Sequence, residues 1–392
     1  MDRLGDSDNC TYAREEARPP VIALARPDIG ELEIQLVNRV LRSDFLSMGE
    51  MTPEFERALA DYVGAPHAIA VSSGTAGLHC LVRALGIGPG DEVVTTSFSF
   101  VASSNVLLYE GARPVFADIE PEQLCLDPDL VEAAITPRTR SILAVDVFGH
   151  PCRLDRLKAI ADDCGIPLID DACEALGAEL NGVKIGAPGQ ADAAVFAFFP
   201  NKQITTGEGG MVVTGDGRIA AMCRSLRNQG RGEGDQWLVH ERLGYNYRLD
   251  ELGAALGVGQ LARIEELLER RDRVADLYRQ RLTRVHGVKT YPVAPGVRMS
   301  WFVYVVRLDA AIDRDRVARQ LAGQGIPTRP YFQPIHLQPF YRERFGYRGG
   351  ELPVTEAAGR SCLALPFHGR LTAEEVETVA AALEEAIVAC SG

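Results

Sequence analysis

Four short stretches hold residues whose chemistry would fit together. The first is SSGTAG, residues 72–77. Gly74 lets the chain turn tightly, and the amides of Gly74, Thr75 and Ala76 would then stand free at a helix N-terminus. Free amides and the helix dipole suit an anion, phosphate best of all. The same residues also read as an ordinary helix cap on Ser73 or Thr75. The second is Phe100, just past Thr95 and Thr96, whose ring could stack on a flat ligand or fill core. The third is IDDACEALG, 169–177, with two acids closing an apolar run. Strand alternation turns Asp170 and Asp171 to opposite sides, so one alone can enter a site. A buried carboxylate needs a positive partner, either a protonated heterocyclic nitrogen or an arginine. No His/Cys cluster stands nearby to suggest a metal. The fourth is Lys202, an isolated cation in FAFFPNKQITTGEGG, 196–210. A lysine there is either a surface residue or a nucleophile, because desolvation lowers an amine's pKa and frees its lone pair.

A phosphate site, an aromatic face, a carboxylate and an amine are the four things that pyridoxal phosphate (PLP) requires. They anchor its phosphate, stack on its ring, pair with its ring nitrogen and bond to its aldehyde.

Such residues must be brought together by the fold. From about residue 30 to 285 short apolar runs alternate with helical patterns. HAIAVSS (67–73), EVVTTS (92–97), PVFADI (114–119), SILAVDVFG (141–149), PLIDDA (167–172), AAVFAF (193–198) and MVVTG (211–215) read as strands. The alternation predicts right-handed βαβ crossovers and a mainly parallel sheet covered on both faces. Ligands bind beyond the carboxyl ends of such strands. The ends here carry Ser72–Thr75, Ser97–Phe100, Asp118, Gly149-His150, Asp170-Asp171 and Pro200–Lys202, expected to converge on one crevice. From Leu249 the apolar spacing predicts one helix of about 35 residues linking two domains. Beyond it WFVYVVRL (301–308) reads as a strand, with helices over 313–325 and 372–387, as in a small α+β domain. The expected divisions are a loose tail (1–20), a large domain (21–262) and a small C-terminal domain (263–392).

The 392 residues carry a net charge of −13, which disfavours nucleic acid or an anionic membrane as partner. No apolar run is long enough to span a bilayer. The N-terminus lacks the apolar core of a signal peptide, so the expected location is cytoplasmic. The nine cysteines form no CxxC pair and suggest neither zinc nor a disulfide framework.

SSGTAG, IDDACEALGA, FFPNKQITTGEGG and GYNYRLDELGAALG, in this order, resemble the sugar aminotransferases of the DegT/DnrJ/EryC1/StrS family. The likeness runs from ARPDIG (25–30) to LPFHGRLTAEE (365–375). It implies an α/β fold of the aspartate aminotransferase type (PLP fold type I), with a mainly parallel mixed sheet and a small α+β domain, usually in a homodimer. By position, Lys202 would bond to the cofactor aldehyde, and Asp171 would pair with the ring nitrogen. Ser73, Gly74 and Thr75 would hold the phosphate, Phe100 would stack on the ring, and Asn246 would reach the phosphate of the neighbouring subunit. Three positions depart from the pattern. Glu174 stands where His or Gln is usual near the phenolic oxygen, Ala197 where a serine is usual, and Phe302 where a histidine is common.

The implied reaction is amino transfer from an amino acid, L-glutamate first, to a keto-sugar, with a nucleotide-linked keto-deoxy-sugar as the expected acceptor. Lys202 would move the proton as general base and then acid. Arg248 in GYNYR, the 228–235 loop, Arg329 and His336 are candidate substrate contacts. A cyclitol or other carbocyclic ketone is the alternative acceptor, and a non-catalytic regulator on the same scaffold is the second alternative. A dehydratase of this fold would carry histidine in place of Lys202, and no GxGxxG follows the first strand to suggest a dinucleotide enzyme.

Overall fold

The computed structural model describes residues 22–232 and 239–390. The expected tail, Cys10 and part of the 228–235 loop lie outside them. The strands are β1 (His67–Val71), β2 (Glu92–Thr96), β3 (Arg113–Ala117), β4 (Thr139–Val145), β5 (Leu168–Asp171), β6 (Glu179–Leu180), β7 (Val183–Lys184), β8 (Ala193–Ala197), β9 (Gly210–Thr214), β10 (Val288–Thr290), β11 (Val297–Arg298), β12 (Tyr304–Leu308) and β13 (Cys362–Leu365). The helices are α1 (Glu31–Leu41), α2 (Met51–Val63), α3 (Gly74–Ala84), α4 (Ala102–Tyr109), α5 (Pro128–Ala134), α6 (Leu154–Asp163), α7 (Gly217–Arg227), α8 (Glu251–Ala262), α9 (Ile264–Leu282), α10 (Arg314–Gly323), α11 (Pro339–Phe345), α12 (Pro353–Ser361) and α13 (Ala373–Cys390).

Seven strands form the main sheet in the order β1-β9-β8-β5-β4-β2-β3. β9 runs antiparallel to both its neighbours, and the other pairings are parallel. Helices cover both faces, so EVVTT of β2 and GMVVT of β9 are buried throughout, as continuous apolar strands of a two-sided sheet must be. A second sheet, β10-β12-β13, is wholly antiparallel. The hairpin β6–β7 pairs with β11 in a third.

Two expectations need correction. The single long helix is two, α8 and α9, broken at Arg263, whose φ −116° and ψ 11° are not helical. The Arg263 guanidinium is drawn to Asp28, Glu33 and Glu266, and α9 restarts with Glu265 and Glu266 at its positive end. The strand expected over 301–308 begins only at Tyr304. Ser300 and Phe302 donate their N–H groups to Gly149 O and Phe148 O instead. Trp301 between them adopts a left-handed φ of 47°. This clasp moves 300–302 off the small sheet and against the end of β4.

Candidate active site

The carboxyl ends of β1, β2, β5 and β8 open onto one cavity of about 500 Å³. Ser73, Gly74, Thr75, Phe100, Asp171, Glu174 and Lys202 all line it. Not every strand end arrives there. Asp118 turns away, accepting from Val354 N, Thr355 N and Thr355 Oγ1 at the start of α12. His150 is buried between Pro151 O and Ala294 N.

β1 passes into α3 within two residues. Ser73, in extended backbone, caps the helix, its Oγ accepting from Ala76 N at 3.1 Å. The cap therefore does not preclude an anion site. Ala76 is taken by the cap, while the amides of Gly74 and Thr75 sit in the first turn, where no intrahelical acceptor exists. A Cβ at Gly74 would lie 2.7 Å from Cys173 Sγ and 2.8 Å from Ala197 Cβ, so glycine alone keeps this turn pressed against β5 and β8.

The adjacent acids divide as alternation requires. Asp170 faces the core, fully buried, with no hydrogen-bond partner on either oxygen among the described residues. Burial, and then the charge of Asp171, push its carboxyl well above the usual range. Asp171 faces the cavity. Ser103 Oγ donates to its Oδ2 at 2.6 Å and Cys173 N to its Oδ1 at 3.3 Å, and Ser99 Oγ touches Ser103 Oγ at 2.8 Å. Among the described residues, Asp171 has no cation within ion-pair distance.

Lys202 stands in a turn closed by its own N–H to Phe199 O at 2.9 Å. Its side chain is 13% exposed, so it is no surface lysine. Nζ lies 3.5 Å from Glu174 Oε1 and 3.8 Å from the centre of the Phe302 ring. Glu174 is turned inward: Phe148 N donates to its Oε2 at 2.9 Å. Burial raises its pKa, opposed by Lys202 and by the Phe148 amide. Beneath the pair lies Arg271 of α9, buried, whose guanidinium donates to Lys202 O at 2.7 Å, Trp301 O at 3.1 Å, Phe302 O at 3.3 Å and Asn201 O at 3.4 Å. It thus fixes the backbone of the lysine and of the ring above it.

Ser103 and Arg271 escaped the sequence reading. An arginine on the apolar stripe of α9 was the only signal for the latter. Of the substrate candidates, His336 is not at the cavity. It is fully buried, with Nδ1 2.7 Å from Ser97 Oγ and Nε2 3.2 Å from Glu356 Oε1, so it is a satisfied core histidine. Arg248 donates to Asn228 Oδ1 at 3.0 Å, a hydrogen bond and not an ion pair. Arg329 is exposed and bridged through its backbone to Ala364. Neither lines the cavity of its own chain. Asn246 is exposed as well. Its neighbours Tyr245 and Tyr247 stack on each other and pack on His79, which leaves Asn246 facing out.

The cavity fits PLP on three counts. The glycine-lined first turn of α3 offers amides to a phosphate. Asp171, buried with neutral donors only, calls for a cationic partner such as a protonated ring nitrogen. Asn201 Oδ1, at the same cavity, is buried without a partner among the described residues. Fold and donor set are those of a PLP-dependent aminotransferase.

Comparison with known proteins agrees. The model of the DegT/DnrJ/EryC1/StrS aminotransferase family matches residues 27–384. The GDP-perosamine synthase of Caulobacter vibrioides is 40% identical over 373 residues, covering 94% of this chain and 99% of that protein. The aminotransferase TlmJ from Streptoalloteichus hindustanus is a similar solved structure, with a TM-score of 0.88, 32% identity and coverage of 95% of this chain and 100% of that one. Spr1654 from Streptococcus pneumoniae, in its PLP form, has a TM-score of 0.89 at 28% identity, over 93% and 98% of the two chains. The chain belongs to the DegT/DnrJ/EryC1/StrS aminotransferase family. No helix among the described residues is long and apolar enough to cross a membrane.

Proposed function

We propose that this aminotransferase takes its amino group from L-glutamate and delivers it to the ketone of a nucleotide-linked keto-deoxy-sugar. Its 40% identity to a protein named GDP-perosamine synthase supports an amino-sugar product. The observation that carries the site assignment is one cavity onto which a buried lysine and a buried carboxylate without a cation both open.

Bound PLP supplies an electrophilic aldehyde and a ring that draws electrons from the reacting carbon. The protein's part follows from its residues. The amides of Gly74 and Thr75, behind the Ser73 cap, would hold the phosphate, and Phe100 would lie against the ring. Asp171, aimed by Ser103, would keep the ring nitrogen protonated. Lys202 Nζ, free to swing between Glu174 and the reacting carbon, would take a proton there and return it. Asn246 faces away from the cavity of its own chain, which supports a homodimer in which each copy lends it to the other.

The test is isotopic. PLP-loaded protein is given ¹⁵N-L-glutamate and absorbance is followed, in wild type and Lys202→Ala. The band is expected to shift in wild type alone. Nucleotide-linked keto-deoxy-sugars and carbocyclic ketones are then added, and products are weighed by mass spectrometry. Label is expected in a nucleotide sugar; label only in a carbocyclic amine would overturn the acceptor assignment. An unaltered shift in Lys202→Ala would overturn the role of Lys202.

A further inference from the structure

Lys202 must serve as a neutral amine at one moment and an ammonium at another. Its immediate surroundings hold the means to alternate. We infer that Glu174 and Lys202 form one proton-sharing unit, in which Glu174 Oε1 takes the ammonium proton from Nζ and gives it back. The inference rests on the assignment of Lys202 made above.

The geometry supports a working pair over a static ion pair. Glu174 is held at two points that leave Oε1 to Lys202, and the amide holding one of them is itself fixed by Ser300. Phe148 N–H engages Oε2, Gln203 Nε2 donates to the Glu174 carbonyl at 2.5 Å, and the same amide reaches Ser300 Oγ at 2.9 Å. Oε1 therefore points at Nζ, 3.5 Å away. Both side chains are largely buried, at 13% and 9% exposure. Burying two charges costs several kcal/mol, which their mutual attraction only partly returns. Burial thereby narrows the gap between the ionic pair and the neutral one, amine and carboxylic acid. The Phe302 face on the other side of Nζ pulls towards the ammonium. Burial raising the carboxyl and the ring favouring the cation oppose each other. The exchange balances on its own: one N–H bond breaks, one O–H bond forms, and no other reactant is needed.

Other titratable groups face the pair. Asp171 is already engaged by Ser103 and Cys173. Burial pushes up the Cys173 thiol and the Tyr331 hydroxyl. Glu208 stands exposed at the cavity mouth. The Arg271 guanidinium is spent on backbone carbonyls below. None of these combines burial, freedom and contact with Nζ as Glu174 does.

The sequence makes a direct test practical, because it contains only four lysines: Lys158, Lys184, Lys202 and Lys289. Full-length, cofactor-free protein labelled at lysine ¹³Cε will give four signals, and Lys202→Ala identifies the one of interest. Its midpoint against pH is read in wild type, Glu174→Gln and Glu174→Asp. Glu174→Gln keeps an acceptor for Phe148 N–H but removes the charge. Its Lys202 midpoint is expected to fall by at least about one pH unit, with Glu174→Asp in between. With PLP and L-glutamate, the acid limb of the first half-reaction should move with the midpoint. A merely structural Glu174 would lower the rate by one factor at every pH. An unmoved midpoint with an unmoved limb overturns the inference while leaving the Lys202→Ala result, and the function, standing. Should Glu174→Gln fail to fold, an unmoved midpoint in Glu174→Asp overturns it equally.

Discussion

Replacing Arg271 by Met would test whether α9 organises Lys202 from below. The methionine retains the length of the stem and removes the fork. Two short bonds are lost, to Lys202 O at 2.7 Å and Trp301 O at 3.1 Å, and two long ones, at 3.3 and 3.4 Å. At about 1.5–3 kcal/mol for each short charge-assisted bond, and little for the long ones, the loss is roughly 3–6 kcal/mol. An opposing gain must be subtracted. Burial pulls the Arg271 pKa down to about 10, so the guanidinium is held charged at a cost of roughly 3 kcal/mol, which the substitution removes. The carbonyls left without donors restore part of the penalty, at about 1–3 kcal/mol apiece where water cannot reach them. The expected net loss is at least about 2 kcal/mol, read from urea midpoints at constant m. Because Arg271 holds the carbonyls of both Lys202 and Phe302, PLP affinity should fall about tenfold, as a loss near 1.4 kcal/mol implies. A variant with unchanged urea midpoint and unchanged PLP affinity would refute the reasoning and make Arg271 a passenger.

Gly74→Ala should weaken PLP binding at least about tenfold, since its Cβ meets Cys173 and Ala197 below 3 Å and the turn must shift to relieve the contact; titration with PLP by absorbance checks this. Ser103→Ala removes the 2.6 Å bond to Asp171 and should slow the first half-reaction about tenfold, the worth of one charge-assisted hydrogen bond, with Ser103→Thr recovering part. Asp28 links the start of the described chain to α9 and to Arg370. Burial works to raise its pKa, but Arg370 and Arg270 outweigh it and draw it down to about 2. A lowered carboxylate stabilises the fold above its unfolded pKa near 3.8 and loses that contribution as pH falls towards 2. Asp28→Asn should therefore lower the thermal midpoint at pH 6 and lose less than wild type on acidification.

The local chemistry of the site was legible because short motifs report it. SSGTAG must turn and cap, IDDACE must alternate, and a lone lysine after an apolar strand must sit near that strand's end. The helix break at Arg263 was not legible, because apolar spacing continues across it and two of the three acids that draw its guanidinium aside, Asp28 and Glu33, lie far away in the chain. Phe302 was expected within a strand, and its place over Lys202 depends on a clasp to Phe148 and Gly149. His336 looked like a substrate contact, since nothing in Ile335-His336-Leu337 says which side faces inward. Its partners, Ser97 and Glu356, are 239 and 20 residues away.

The sequence by itself determined the alternation of strands and helices, that one alone of Asp170 and Asp171 can enter a site, and that Lys202 stands at a strand's end. Those follow from backbone geometry and from neighbours a few residues apart. Only the tertiary structure decided what surrounds the amine: Glu174 turned inward by the Phe148 amide, Phe302 laid over Nζ, Arg271 beneath both and Ser103 behind Asp171. Each is a contact between segments distant in the chain. Its existence depends on how helices and sheet pack, which no local pattern of residues encodes.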